Sequence, residues 1–169
     1  MAIYINFENK DYKRLRDIFD IARCNKSKEY PKDTILVQVS VTRGQVIYLD
    51  KAQHVADGSK YAALTVKEPD KYNAKYLYYM LDENMPDIVR RCKSGINLQM
   101  DALSGEKILV HLDIDTQNTI VDLIDIVQEW LYLERKTVEL LKQHRLEMMR
   151  HMFPEEGITV PRWRFYSDK

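Results

Sequence analysis

A long segment of this chain contains no helix-breaking residues. No glycine or proline occurs between residues 106 and 153. Alternate steps of four and three from Ile120 select ten positions, eight of them apolar: Ile120, Ile124, Val127, Leu131, Glu134, Val138, Leu141, Arg145, Met148 and Met152. A repeat of this kind is typical of a coiled-coil helix. At 1.5 Å per residue, a helix of about 37 residues would be roughly 55 Å long. We call the stripe formed by these ten positions the seam. Because the helix is too long to bury its seam against a small domain, we expect it to pair with a second long helix.

The two charged seam residues suggest how two such helices pair. If two copies run antiparallel with residue i facing residue 279 − i, Val138 faces Leu141 and Glu134 faces Arg145. A half-buried ion pair of this kind specifies register more than it adds stability. In the alternative interpretation, both charged side chains reach solvent from the edge of the seam.

The remaining sequence predicts an α+β fold with the long helix attached to a small mixed domain. Residues 1–112 form the domain, 113–153 the helix and 154–169 an extended tail that contains Pro154, Gly157 and Pro161. Apolar spacing predicts an amphipathic helix over 11–22 and a buried helix over 73–81, with Pro86 breaking it and opening another short helix to about Arg91. β-Branched and apolar runs predict strands over 34–41, 45–49, 61–66 and 107–112, with a tight turn at 42–44.

Charge and composition exclude several classes of protein. Lys plus Arg and Asp plus Glu are both 26, so a general polycation is disfavoured. Residues 1–110 carry an excess of three positive charges and residues 111–153 an excess of three negative charges, which allows a local basic face. The two cysteines, Cys24 and Cys92, make neither a disulfide framework nor a zinc motif, so we expect a reducing, cytoplasmic compartment. No secretory leader and no membrane span are expected.

Catalytic motifs are absent, and we expect no catalytic residue, no cofactor and no metal. The sequence has no nucleophile elbow, no phosphate-binding glycine loop and no Pro-Pro pair of the amino-methyltransferase kind. Pro86-Asp87 and 134–136 fit a metal-nuclease pattern by letter only, because Glu134 lies in the coiled-coil segment. His144 and His151 lie seven residues apart and are more often solvated than metal-bound. Tyr72 and the tyrosines of the helix over 73–81 could stack on bases, but their helical spacing favours the interpretation that they pack in the core.

Four segments resemble one known family. They are a tail running from 152–157 into 160–165 (Val-Pro-Arg-Trp-Arg-Phe), an opening segment over 12–18, a helix over 69–81 and a polar loop over 95–99. Together they resemble the specificity subunits of type I restriction–modification systems. Those subunits carry two target-recognition domains and two long helices. This chain has one of each, a short recognition domain, and Leu112-Asp113-Ile114-Asp115 where a proline-rich segment is usual. It is therefore interpreted either as a half-subunit or as a trimmed relative that has lost part of the apparatus.

The resemblance implies a non-catalytic protein that reads double-stranded DNA. In the family, each recognition domain reads half of a split site, and the helices hold the domains apart and dock the methyltransferase subunits. A homodimer would read a two-fold symmetric split site. S-adenosylmethionine would belong to the methyltransferase partner and ATP to a restriction subunit. The candidate DNA contacts are loop residues with base- or phosphate-binding side chains: Arg23, Asn25, Lys26, Lys28, Arg43, Ser59, Lys60, Lys93, Ser94, Asn97 and Gln99.

Two other functions fit the same sequence. One is an adaptor that does not bind DNA and docks through the long helix on a methyltransferase or on a full specificity subunit. The other is a stand-alone dimeric repressor. Steep weakening of DNA binding with salt would separate a DNA-binding protein from an adaptor.

Overall fold

A computed structural model describes residues 8–40 and 44–153 of the chain. The strands are β1 Lys10–Arg14, β2 Phe19–Arg23, β3 Glu29–Tyr30, β4 Ile35–Gln38, β5 Val46–Tyr48, β6 Gln53–His54, β7 Tyr61–Val66, β8 Lys93–Ser94, β9 Asn97–Leu98 and β10 Lys107–His111. The α-helices are α1 Leu15–Ile18, α2 Ala74–Cys92, α3 Met100–Gly105 and α4 Ile114–Met152, and a 3₁₀ turn spans Gly58–Lys60. The α+β prediction is confirmed: a mixed domain precedes a helix of 39 residues.

The chain divides after Asp122 into two compact units. The first contains a four-stranded antiparallel sheet in the order β2-β7-β4-β5, with two-stranded pairs β1-β10, β3-β6 and β8-β9. The second contains α4 from Leu123 onward. No helix in the described part of the chain is long and apolar enough to cross a membrane.

The alternation of side chains along β4 divides the apolar residues of the first unit into two clusters. Ile35 and Val37 lie in the larger cluster with the buried face of α2, whereas Leu36 lies in a smaller cluster. Successive residues of a strand point to opposite faces, so a run of apolar residues buries both faces of the sheet. The smaller cluster also contains Cys24, Tyr30, Leu49, Val55 and Ala63.

Both cysteines are buried and free. Burial raises the pKa of the Cys92 thiol to about 11, and burial likewise raises the pKa of Cys24. Neither side chain is therefore poised to act as a nucleophile.

Two sequence-based helix predictions are wrong. Residues 11–22 form β1, the single turn α1 and β2, because β1 pairs with the distant β10 and β2 with β7. Pro86 does not break α2, which continues to Cys92. Met85, Ile88 and Val89 are buried around the proline, and this packing keeps the helix continuous despite the missing hydrogen bond. The strand predicted over 61–66 is confirmed residue for residue, and those over 34–41, 45–49 and 107–112 are confirmed with ends shifted by up to three residues.

The start of α4 is fixed by a buried polar network. Gln117 is fully buried; its Nε2 donates to the carbonyl oxygens of His111 (2.7 Å) and Lys71 (3.2 Å). Its Oε1 accepts from the backbone N–H of Asn73 at 2.8 Å. The carboxylate of Asp113 accepts from the backbone N–H of Thr116 at 2.9 Å and caps the helix. One glutamine thus ties the β10 end and the α2 start to the first turn of α4.

Replacing this glutamine is expected to destabilise the first unit. Gln117→Ala leaves one backbone donor and two carbonyl acceptors without their partner, and we expect the free energy of unfolding to fall by at least about 2 kcal/mol. Urea denaturation measures this. Gln143→Ala, an exposed site on the same helix, is the matched control and is expected to change stability by less than about 0.5 kcal/mol. Equal denaturation midpoints for the two variants would contradict the role of the network.

Two glycines with the same backbone conformation give a second test. Gly44 (φ 65°) and Gly95 (φ 62°) both lie in the left-handed region. A Cβ at Gly44 would lie 2.5 Å from Val89 Cγ2, whereas no described heavy atom lies within 4 Å of one at Gly95. We expect Gly95→Ala to cost about 1 kcal/mol and Gly44→Ala about 2–4 kcal/mol, measured by thermal denaturation. A smaller cost at Gly44 would show that position 44 is not tightly packed against α2.

Candidate nucleic-acid interface and pairing helix

The candidate DNA contacts lie in three loops of the first unit. All ten that the structure describes have exposed side chains: Arg23, Asn25, Lys26, Lys28, Ser59, Lys60, Lys93, Ser94, Asn97 and Gln99. Arg43 lies outside the described residues, as does the tail motif from residue 154 onward. The loops are residues 23–28, residues 57–60 and the β8–β9 hairpin with Gln99.

The first two loops are in direct contact. A Cβ placed at Gly58 would lie 3.0 Å from the backbone nitrogen of Lys26 and 3.1 Å from the carbonyl carbon of Asn25. The backbone N–H of Cys24 donates to the carbonyl of Tyr61 at 2.9 Å. The side chain of Asn25 accepts from the N–H of Ser27 at 3.0 Å and shapes the loop from within. Glycine at position 58 therefore allows two polar loops to approach at backbone contact distance.

The third loop joins the other two through the end of β4. Val39 donates its N–H to the carbonyl of Lys60 at 2.7 Å and accepts at its carbonyl from the N–H of Leu98 at 2.8 Å. Ser40 forms an isolated bridge with Asn97. These bonds hold the three loops as one surface, which we call the loop face: residues 23–28, 57–60 and 93–99.

The loop face concentrates positive charge in a chain whose net charge is zero. It contains five cationic residues, namely Arg23, Lys26, Lys28, Lys60 and Lys93, against one acidic residue, Asp57. Lys60 Nζ lies 2.9 Å from Asp57 Oδ2, and this hydrogen bond lowers the pKa of Asp57 and raises that of Lys60. Lys28 Nζ lies 5.5 Å from the centre of the Tyr30 ring. Four positive charges remain in excess on this surface.

The chemistry of the loop face suits a duplex. Lysine and arginine bind phosphates and guanine edges, and asparagine and glutamine match the adenine edge.

The sequence-based interpretation missed one exposed group, Ile96 at the tip of the hairpin, which is 74% exposed. Its position between Gly95 and Asn97 in a polar loop was a signal that it does not belong to the core.

The tyrosines named from the sequence serve the core of the first unit. Tyr76 is fully buried and its hydroxyl lies 2.9 Å from His111 Nδ1, whereas Tyr72, Tyr78 and Tyr79 are partly buried against the same cluster. Burial lowers the pKa of His111.

Among the described residues, no group of three or more His, Cys, Asp or Glu side chains could hold a metal ion.

In the second unit, the seam of α4 is exposed. Val127, Leu131, Val138 and Leu141 are 46–62% exposed. Ile120, the first seam residue, belongs to the first unit and packs against its core, and Ile124, Met148 and Met152 are half-buried. Glu134 and Arg145 are exposed. The described part of the second unit does not supply a partner for the central seam.

A second apolar stripe on α4 was missed by the sequence-based interpretation. The same alternation of three and four residues selects Leu123, Ile126, Trp130, Leu133, Thr137 and Leu140. Ile126, Trp130, Leu133 and Leu140 are more than half exposed. Each residue of the second stripe precedes a seam residue by one position, so at about 100° per residue this stripe lies about 100° around the helix from the seam. The helix therefore has two apolar faces. The second could have been found in the sequence by testing every helical register for apolar residues instead of only the strongest one.

Comparison with known proteins agrees with this architecture. No protein-family model matches the chain, and no curated protein matches it by sequence. Among solved structures, the type I restriction–modification S subunit from M. genitalium superposes with a TM-score of 0.65 at 18% identity, covering 86% of this chain and 46% of that one. The HsdS subunit from Thermoanaerobacter tengcongensis gives 0.60 at 16% identity, covering 79% and 41%.

A third match comes from work on complex assembly and conformational transition of the type I restriction–modification system. Its TM-score is 0.62 at 19% identity, and the match covers 85% of this chain and 45% of that one. The chain thus spans less than half the length of each matched protein. The chain has the fold of the S subunits of type I restriction–modification systems, over one mixed domain and one long helix.

Proposed function

We propose that this chain is a DNA-recognition subunit of a type I restriction–modification system. Residues 1–112 would read one half of a split duplex site, and residues 113–153 would form the spacer helix. The observation that carries the proposal is the loop face, where three hydrogen-bonded loops present an excess of four positive charges beside exposed amide side chains. The S-subunit fold supports the interpretation of this surface as a DNA-reading surface rather than a general basic patch.

The seam is proposed to pair with a second copy of the chain. Half-exposed Val127, Leu131, Val138 and Leu141 leave a large apolar surface in water, and such surfaces mark interaction sites. In the antiparallel register, the seam residues Glu134 and Arg145 face each other twice per dimer, because the pair is two-fold symmetric. This charge complementarity favours a second copy over an unrelated helix. The dimer would carry two loop faces and read a symmetric split site.

The second stripe provides a separate surface for a methyltransferase subunit. Trp130 is 61% exposed at its centre, and large aromatic side chains are common anchors of protein interfaces. Because the second stripe lies away from the seam, α4 can pair and dock at the same time. S-adenosylmethionine, and ATP in a complex with a restriction subunit, would be bound by those partners, and the chain itself would be non-catalytic. This role implies a cytoplasmic protein.

An adaptor without DNA binding is the second candidate. It is favoured by the extent of exposed apolar surface on α4, which would suffice for docking on a methyltransferase or on a larger S subunit. The overall net charge of zero is consistent with it. A stand-alone repressor would need the dimer and the loop face but not the second stripe.

DNA binding by the loop face is expected to depend steeply on salt. A duplex selected from a random pool should bind with a log–log salt slope near −0.9 for each phosphate contact. Lys26→Gln removes an exposed lysine of the loop face, so we expect a slope shallower by about 0.9, measured by fluorescence anisotropy. Lys136→Gln on α4 is the matched control and should leave the slope unchanged. No binding to any duplex at low salt would favour the adaptor.

Dimerisation through the seam is expected to respond to charge exchange. Light scattering should give a mass near twice 20.1 kDa for the wild type. Glu134→Arg places like charges opposite each other at two contacts, and we expect the dimer Kd to rise about tenfold or more. Adding Arg145→Glu should restore the dimer, whereas Glu139→Arg, an exposed site outside the seam, should leave it unchanged. A monomeric wild type, or a double variant that stays dissociated, would contradict the register.

A further inference from the structure

The tip of the β8–β9 hairpin carries an apolar side chain in a polar surface. Gly95 has a φ of 62°, as a type II′ turn requires at its first central residue, and Ile96 follows it. Ile96 is 74% exposed, the highest value among the large apolar residues in the described part of the chain. Its neighbours on the hairpin are Lys93, Ser94 and Asn97, all exposed.

The hairpin that carries Ile96 is held firmly at its base. Leu98 and Cys92 are buried in the core, and the N–H of Gln99 donates to the carbonyl of Cys92 at 3.1 Å. Leu98 also donates its N–H to Val39, and Asn97 bridges Ser40. The buried residues and hydrogen bonds at the base of the hairpin therefore fix the position of Ile96 before any ligand binds.

We propose that this tip reads an A·T base pair in the major groove, with Ile96 contacting the thymine methyl group and Asn97 the adenine edge. The inference rests on the proposed DNA binding and names the base chemistry of that surface. The major groove admits a two-stranded β-ribbon, and it alone displays the thymine methyl group. An asparagine amide can bond adenine N6 and N7 in pairs, and the methyl belongs to the same base pair.

The adjacency of the two residues supports a shared target. Ile96 lies in the turn and Asn97 directly after it, both are exposed, and consecutive Cα atoms lie 3.8 Å apart, so one base pair or two adjacent pairs lie within reach of the hairpin tip. A lone exposed isoleucine gains little in water, whereas a methyl contact removes apolar surface from solvent on both partners. Lys93 and Ser94 on the same hairpin are exposed and carry groups of the kind that bind phosphates.

The test is a coupling measurement between Ile96 and single methyl groups of DNA. Thymines in a duplex selected with the wild type are replaced one at a time by deoxyuridine, which removes only the methyl group. At one thymine we expect wild-type affinity to fall about fourfold, the effect of one buried methyl group. Ile96→Ala should bind that duplex and its uracil version equally, and Asn97→Ala should lose the preference for A·T at that position.

The outcomes separate this inference from the proposed function. A uracil effect that is the same for the wild type and Ile96→Ala at every position overturns the methyl contact while leaving DNA binding intact. Absence of any wild-type DNA binding overturns both. Ile126→Ala, an exposed isoleucine on α4, is the matched control and should keep the full uracil effect. Thermal denaturation of each variant checks that these exposed substitutions leave the fold unchanged.

Discussion

The unburied apolar surface of α4 is the constraint on which the account of this protein depends. A helix of 39 residues carries a seam and a second stripe, and their largest side chains lie in solvent. Burying such a surface is the dominant favourable term in most protein association. We therefore propose that the helix is an interaction element, with a second copy and a methyltransferase subunit as the partners of its two faces.

The proposed recognition surface, the loop face, lies on the first unit and is held together by backbone contacts. The loop face exists because Val39 bonds to Lys60 on one side and Leu98 on the other, and because Gly58 lets two loops touch. None of these three contacts involves the side chains that would bind DNA. Because only backbone atoms make these contacts, the side chains of Arg23, Lys26 and Lys93 can change in identity while the scaffold keeps its geometry.

The sequence was informative where local pattern and tertiary structure agree. The uninterrupted repeat predicted α4, and the apolar run at 61–66 predicted β7. It failed at 11–22, where Leu15, Ile18, Phe19 and Ala22 have helical spacing but β1 and β2 form through partners far along the chain. It failed again at Pro86, where burial on both sides of the proline outweighs a local rule. The convergence of the loops depends on Val39 and Gly58, whose roles have no signature in the sequence.

The direction in which two copies of α4 pair can be measured with spin labels. Nitroxide labels at Glu129→Cys and, separately, Gln143→Cys lie outside the seam, and buried Cys24 and Cys92 should resist labelling. In the antiparallel register, residue 129 faces residue 150 and residue 143 faces residue 136, so the two labels are offset along the axis by about 32 Å and about 10 Å respectively. Pulsed electron paramagnetic resonance should therefore give a long distance at 129 and a much shorter one at 143. Equal distances at the two sites, or no dipolar signal at either, would contradict the account.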